Sequence, residues 1–522
     1  MPVSRGQLEY AREDVVLNLG PDIVGIDLGT SNSCACMVLN GEPTIIEVQD
    51  PDGIGVAPTF PSVVSYGDDN RTLVGKAAVS RMDTDPRRTV FGAKRFIGRE
   101  YDSPQVREML SRFPYRIVRG GLGQVAVDIN GKAVNLTSIS ARILQQLRRA
   151  VSHKTGRNIS RAIITVPAFY NDNQRQAVVV AGKLAGLQVE RVINEPTAAA
   201  IAYGLHSARP RKFIVYDLGG GTFDVSVMST RPDALVVRAT AGDTFLGGED
   251  FDNAIADWVA TQFYESSGMM LSNNATARAR VKRAAELAKR RLSTHHKAMV
   301  VVRDALTADG QTVRIETELD RVTVAALVHP LILRTIKITD MTLQEAGFKR
   351  SDIEDVILVG GQTRMPAVYE AVKHYFGRAP RVDIDPDQVV AMGAGMLAGM
   401  PANAGQQFRD VLPMTIGLAQ GQKFRPILPK NTQVPARKQI VLKVPEDRFR
   451  GFTLRLYQGE SPQLHRNEFL GEVKLDSVNS GGVNPVPMQV DLSLSEDCLL
   501  NVSLTNQATR ESVQVLLNAT AV

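Results

Sequence analysis

Three glycine-rich segments, far apart in the chain and each set against an apolar strand, constrain this sequence more than any other feature. They are Gly25-Ile26-Asp27-Leu28-Gly29-Thr30-Ser31-Asn32, Asp217-Leu218-Gly219-Gly220-Gly221-Thr222-Phe223-Asp224 and Ile357-Leu358-Val359-Gly360-Gly361-Gln362-Thr363-Arg364. The first two repeat one pattern: a β-branched run, an aspartate, a tight glycine turn and a threonine. Each predicts a hairpin whose turn offers backbone N–H groups to a phosphate, with a carboxylate placed for the accompanying cation. Two such hairpins facing each other would clamp a polyphosphate from both sides, and ATP is the expected ligand. Neither G-x-x-x-x-G-K-[ST] nor G-x-G-x-x-G occurs, which excludes the P-loop and the classical dinucleotide fold.

From Asp22 to about Pro401 the pattern is α/β. Arg161 to Val166 reads as a buried strand ended by Pro167. A helix is expected from Asn171, with Gln174 as its capping-box partner, stopping near Gly186. The next strand runs into Glu195, where Pro196 suits the first helical position and the Ala-rich turn ends at Gly204. From Gly405 onward, short alternating strands replace helical periodicity. Met488, Val490, Leu492 and Leu494 form one apolar row, Leu500, Val502 and Leu504 a second, and Val513, Val515 and Leu517 a third. Turn residues such as Gly481-Gly482 separate them, predicting an antiparallel β-sandwich of about 100 residues. The expected organisation is an N-terminal extension over 1–20, a nucleotide-binding domain over 21–404, a linker over 405–413 and the sandwich over 414–522.

A chain of 522 residues has room for these domains, and 43% hydrophobic content excludes a disordered protein. The net charge of +6 is spread thinly, with pairs such as Arg148-Arg149 and Arg290-Arg291 on helical faces. A solvated basic surface explains it, and no nucleic-acid partner is expected. Three cysteines make no disulfide framework. Cys34 and Cys36 share one face of a strand as small core residues, which suits a reducing compartment. Residues 1–20 carry Arg5, Glu9, Arg12, Glu13 and Asp14 instead of a signal-peptide apolar stretch, and no run reaches the roughly 18 apolar residues of a membrane span. The expected location is the cytoplasm, with no membrane contact.

Taken together with Ala93 to Arg99 (AKRFIGR), Val166 to Asp172 (VPAFYND), Ile193 to Ala200 (INEPTAAA) and Leu246 to Asp252 (LGGEDFD), the glycine segments resemble the DnaK-type, seventy-kilodalton heat-shock chaperone family. The resemblance covers about residues 22–518. It implies an actin-like, duplicated, two-lobed ATPase followed by an antiparallel β-sandwich. It implies that Thr30, Ser31, Asn32 and Gly219, Gly220, Gly221 and Thr222 bind phosphates, joined by Gly247, Gly248 and Glu249. Asp27 and Asp217 would hold a hydrated Mg²⁺. Lys94 would stabilise the transferring phosphoryl group and position the attacking water, with Glu195, Asp217, Thr222 and Asp224 completing the catalytic set. Glu286, Lys289, Arg290, Ser293, Gly360, Gly361, Gln362, Arg364 and Asp387 would hold the nucleoside, Gln362 standing where the motif usually has serine. Read without the resemblance, Glu286 and Arg290 are also a helix ion pair at i, i+4. Pro167 and Arg175 match an interdomain relay with Glu195 at its nucleotide end. Arg191 and Asn194 match part of the surface that J-domain partners touch. Implied partners are extended polypeptide clients, a J-domain co-chaperone and a nucleotide exchange factor.

Three departures qualify the resemblance. The apolar linker reads as shortened, because Asp410-Val411-Leu412 meets Pro413 at once, and weaker coupling is expected. In the peptide pocket Leu418 is retained, Phe452 replaces an aliphatic floor residue and Val441 stands where an aromatic is usual. A filled cavity and a compensated one are both compatible with that swap. The chain closes just after the sandwich, where the family's helical lid would need roughly 100 more residues, so fast peptide release is expected. The reading is a lidless chaperone ATPase. One rival is a nucleotide-gated scaffold with a dedicated partner, separable by peptide competition. Another is a small-molecule kinase on the same fold, separable by a phosphoryl-acceptor screen.

Overall fold

Two hairpins organise two mixed sheets in the same way. Strand Ile23–Asp27 pairs antiparallel with Asn32–Leu39 and parallel with Arg161–Val166. Gln188–Asn194 and Glu42–Ile45 extend this sheet on either side. In the second sheet, Lys212–Leu218 pairs antiparallel with Phe223–Arg231 and parallel with Asp355–Val359. Ala234–Asp243 and Gln407–Arg409 continue that sheet. Each sheet thus repeats a hairpin with a parallel neighbour on its first strand, the geometry behind the repeated sequence pattern. The computed structural model of the chain describes residues 22–49, 56–67, 71–204, 210–231, 234–400, 407–445, 452–475 and 477–515. The expected N-terminal extension and Leu517 lie outside them.

Local signals act as read. Helix Asp172–Leu184 carries the Asn171–Gln174 capping box, and Gly186 past its end has φ +76°. Helix Glu195–Ala202 begins with Pro196 in its first turn. Between the sheets runs helix Val389–Gly399, admitted only because glycines stand at its closest contacts. A Cβ on Gly25 would lie 2.1 Å from the Gly395 nitrogen, and one on Gly393 would lie 1.7 Å from the Ala198 carbonyl oxygen.

Helix Arg321–Glu345 corrects one expectation. It is long and apolar enough to cross a membrane by length and composition. Yet Val324, Val328, Ile332 and Leu343 are buried in the core that also contains Tyr216 and Phe223. Val322, Leu333 and Met341 on the same helix are more than half exposed, so one face of it packs on the core and the other does not.

The C-terminal part is two four-stranded antiparallel sheets. One runs Lys423–Leu428, Ile416–Gln420, Phe452–Gln458, Glu468–Leu475, and the other Ala436–Val444, Val486–Leu494, Leu500–Asn506, Ser512–Val515. The rows Met488 to Leu494 and Leu500 to Leu504 share one interior. The third row fails at Val513. It sits opposite Leu504 in register but is 44% exposed, because its strand is the sheet edge, where the core ends.

The connection between the two parts is described from Gln407 onward. The strand laid on the second sheet is Gln407–Arg409, parallel to Ala234–Asp243 and ahead of Asp410. Val411 is then buried with Phe213, Val215 and Leu397, while the adjacent Leu412 is buried in the sandwich interior. Leu412 N–H donates to Thr432 O at 2.8 Å and Val434 N–H to Asp410 O at 3.0 Å. Consecutive residues are thus held by opposite cores, each burial worth about 1.5–3 kcal/mol. The segment is anchored on both sides in this arrangement.

The close packing of helix Val389–Gly399 is directly testable. Gly393→Ala forces a methyl group into the Ala198 backbone, and a loss of about 1–3 kcal/mol or more is expected as a lowered urea midpoint.

Candidate functional site

Glycines let three turns meet. A Cβ on Gly220 would lie 2.0 Å from Ser31 Oγ, and one on Gly221 would lie 2.5 Å from Thr30 Cγ2. One on Gly247 would lie 2.5 Å from the Gly221 nitrogen. Gly248 N–H donates to Gly219 O at 2.9 Å and Glu249 N–H to Gly220 O at 2.8 Å, so this turn backs the second hairpin. Gly360, with φ +83°, brings the third glycine segment against Leu218. The turns border a cleft of about 2370 Å³. Its lining includes Thr30, Ser31, Asn32, Gly219, Gly220, Thr222, Gly248 and Glu249, as well as Gly360 and Gly361. Gly221 and Gly247 lie behind that lining as packing glycines.

Deep in the cleft Asp27, Lys94, Glu195 and Asp217 converge, with Asp224 just behind. Lys94 forms a buried ion pair with Glu195. Burial alone would lower the Lys94 pKa, but Glu195, Asp27 and Asp217 outweigh it and hold the ammonium above its usual value. Burial, then repulsion from Glu195, pushes Asp27 and Asp224 each up to about 7. The same causes, with Asp224 and Asp27 added, hold Asp217 well above the carboxylate range. Thr165 Oγ1 donates to Asp27 at 3.2 Å and Phe169 N–H to Asp224 at 2.9 Å, which fixes both carboxylates. Among the described residues no three His, Cys, Asp or Glu side chains converge as a metal cage. Four carboxylates sharing one ammonium suit instead a cation held partly by phosphate oxygens, the usual arrangement for Mg²⁺.

The expected nucleoside residues border the same cleft. Lys289 pairs with Asp252 at 2.8 Å and donates to Gly248 O at 2.9 Å. Glu286 accepts from Arg283 at 2.6 Å, while Arg290 stands 3.7 Å away and largely exposed, so the closer helix partner is at i−3. Ser293 follows at the helix end. Arg364 pairs with Asp387 at 3.1 Å, beside Gly361. Gln362 is buried and donates to Met365 Sδ at 3.5 Å. One residue escaped the sequence reading although it stands next to Lys94. Arg95 is 1% exposed, pairs with Asp250 at 3.1 Å, and its Nε–H lies by the Gly221 turn without a partner.

A family model described as Hsp70 protein matches residues 23–521. The chain belongs to the Hsp70 family. In this Hsp70 chain the sandwich lies directly on the residues next to the cleft. Arg175, at the expected relay position after Pro167, donates to Ala168 O at 3.1 Å and reaches Asp497 O at 3.4 Å. Thr197 Oγ1 donates to Asp410 at 3.0 Å. Arg191, expected on part of a J-domain surface, pairs with sandwich residue Asp497 at 2.9 Å, and Asn194, expected beside it, is buried. Leu500 N–H donates to Asp172 Oδ1 at 2.7 Å across the same contact. Within the sandwich, Leu418 and Phe452 share the interior, but Val441 does not join them. Its side chain is 48% exposed and the adjacent Leu442 packs inward, because alternation along Ala436–Val444 sends neighbours to opposite faces.

The raised carboxyls set a pH dependence. A carboxyl whose folded pKa exceeds its unfolded value of 3.8 favours folding fully below that value, and the advantage is lost as pH rises through about 7. The melting midpoint of the ligand-free chain is expected to fall from about pH 5 to about pH 8, with a shallower fall for Asp224→Asn. A midpoint that rises over this range contradicts the charge assignment.

Proposed function

We propose that this chain is an ATP-dependent molecular chaperone with an actin-like, two-lobed ATPase over 21–404. Hydrolysis of ATP to ADP and phosphate would control how the sandwich over 414–522 binds extended apolar polypeptide. The observation that carries this reading is the buried group of Lys94, Glu195, Asp27, Asp217 and Asp224 at the meeting point of two glycine turns. Turn N–H groups and the hydroxyls of Thr30, Ser31 and Thr222 bind phosphate oxygens. Asp27 and Asp217 would hold a hydrated Mg²⁺, which would neutralise phosphate charge when bound. Glu195 keeps Lys94 charged and aimed, and Lys94 donates to the oxygen on which charge develops. Asp224, oriented by Phe169 N–H, accepts a proton from the attacking water.

Coupling to the sandwich runs through Pro167, Arg175, Asp410, Val411 and Leu412, next to Glu195. A J-domain protein and an exchange factor are the proposed partners, in the cytoplasm. One observation is compatible with the scaffold reading in its place: Phe452 is buried in the sandwich interior, as a filled pocket would require.

Single-turnover ATP hydrolysis, with and without an extended apolar peptide and a J-domain protein, tests the proposal. Stimulation by both ligands is expected, together with a loss of roughly 10²–10³-fold in Lys94→Ala, as for removal of one transition-state donor. Turnover indifferent to peptide would favour the scaffold.

A further inference from the structure

Arg99 is 5% exposed, and its guanidinium touches three separate parts of the chain. Nε–H donates to Arg95 O at 3.2 Å, which closes the turn carrying Lys94. Nη2–H donates to Thr244 Oγ1 at 2.8 Å, and the group stands 5.2 Å from the Phe245 ring centroid. Thr244 and Phe245 lead from the second sheet into the Gly247-Gly248 turn behind the second phosphate hairpin. Phe245 also packs against Phe96 of the first half, with ring centroids 6.0 Å apart. Nη1 forms a buried ion pair with Glu468, the first residue of sandwich strand Glu468–Leu475. Arg99, Thr244, Phe245 and Glu468 all border the cleft.

One guanidinium therefore ties the Lys94 turn of the first half to the phosphate turn of the second, and the sandwich supplies its counter-charge. A buried cation without its partner is strongly unfavourable, so without Glu468 the Arg99 side chain must seek water and release both turns. We propose that Glu468, acting through Arg99, latches the cleft closed, so that docking of the sandwich sets the rate at which bound nucleotide leaves. Both are positioning residues, since neither reaches the reacting atoms. The latch rests on the reading that the cleft holds an adenine nucleotide. Lys430 offers a comparison on the same domain contact: it pairs with Glu345 at 2.7 Å, and neither residue borders the cleft.

The test uses the full chain and stopped-flow release of a fluorescent N-methylanthraniloyl ADP. Glu468→Ala and Glu468→Gln are expected to speed release roughly tenfold, with Glu468→Asp closer to the parent and Lys430→Ala within about twofold of it. Unchanged release in Glu468→Ala overturns the latch, as does an equal acceleration in Lys430→Ala, which would mark general loss of domain contact. Hydrogen–deuterium exchange on the nucleotide-free chain supplies a readout that needs no ligand. Amides of residues 93–99 and 243–248 should both lose protection in Glu468→Ala while the sheet cores keep theirs. If no variant binds the labelled ADP, the nucleotide reading fails, and unchanged exchange in the two turns would sink the latch separately.

Discussion

Backbone passes against backbone at Gly25 and Gly395, at Gly393 and Ala198, and again at Gly220, Gly221 and Gly247. These contacts leave no room for a Cβ, and everything functional depends on them. The first two seat helix Val389–Gly399 between the sheets and so fix the spacing of the two hairpins. The others bring the hairpin tips close enough for one small ligand to touch both. A protein interior is nearly incompressible, so a single methyl group at such a contact must be accommodated by moving a whole element.

That closeness has an electrostatic consequence. The aspartates at the ends of the first hairpin strands, Asp27 last in its strand and Asp217 next to last, are carried into one buried space with Glu195 and Asp224. Burial, added to a repulsion that Lys94 only partly offsets, raises the carboxyl pKa values of Asp27, Asp217 and Asp224. A site that charged is poor at stabilising the folded chain and well suited to a polyphosphate with its cation, because strained pKa values and ligand affinity share one origin. Arg95 and Arg99, just after Lys94, bring positive charge to the same border.

The sandwich is joined to this machinery at its most constrained points. Asp172 accepts from Leu500, Arg191 pairs with Asp497, and Val411 and Leu412 are gripped by opposite cores. Burial pushes the Asp172 carboxyl up to about 7, so the contact contains ionisable groups held away from water. Buried polar contacts of this kind add little net stability but penalise misplacement steeply, which suits a contact that must be made in one geometry or not at all.

Much of this was legible in the residues. The glycine turns, the Asn171–Gln174 cap, the Pro196 helix start and the alternating rows around Val490 and Val502 are written in local sequence. Local chemistry fixes local backbone, and their φ, ψ and hydrogen-bond needs are met within a few positions. The order of motifs also carried the family, the α/β part and the sandwich. Tertiary structure alone decided the rest. Whether Val441 faces in or out depends on a one-residue register, and whether Val513 is covered depends on where the facing sheet ends. That Gln407–Arg409 joins the second sheet depends on a pairing between distant strands. The Arg99–Glu468 pair joins positions 369 residues apart, with no spacing or composition to announce it. Sequence fixes what each residue can offer. Only the packed chain fixes which distant partner receives it, because burial and pairing energies are set by neighbours brought together in space.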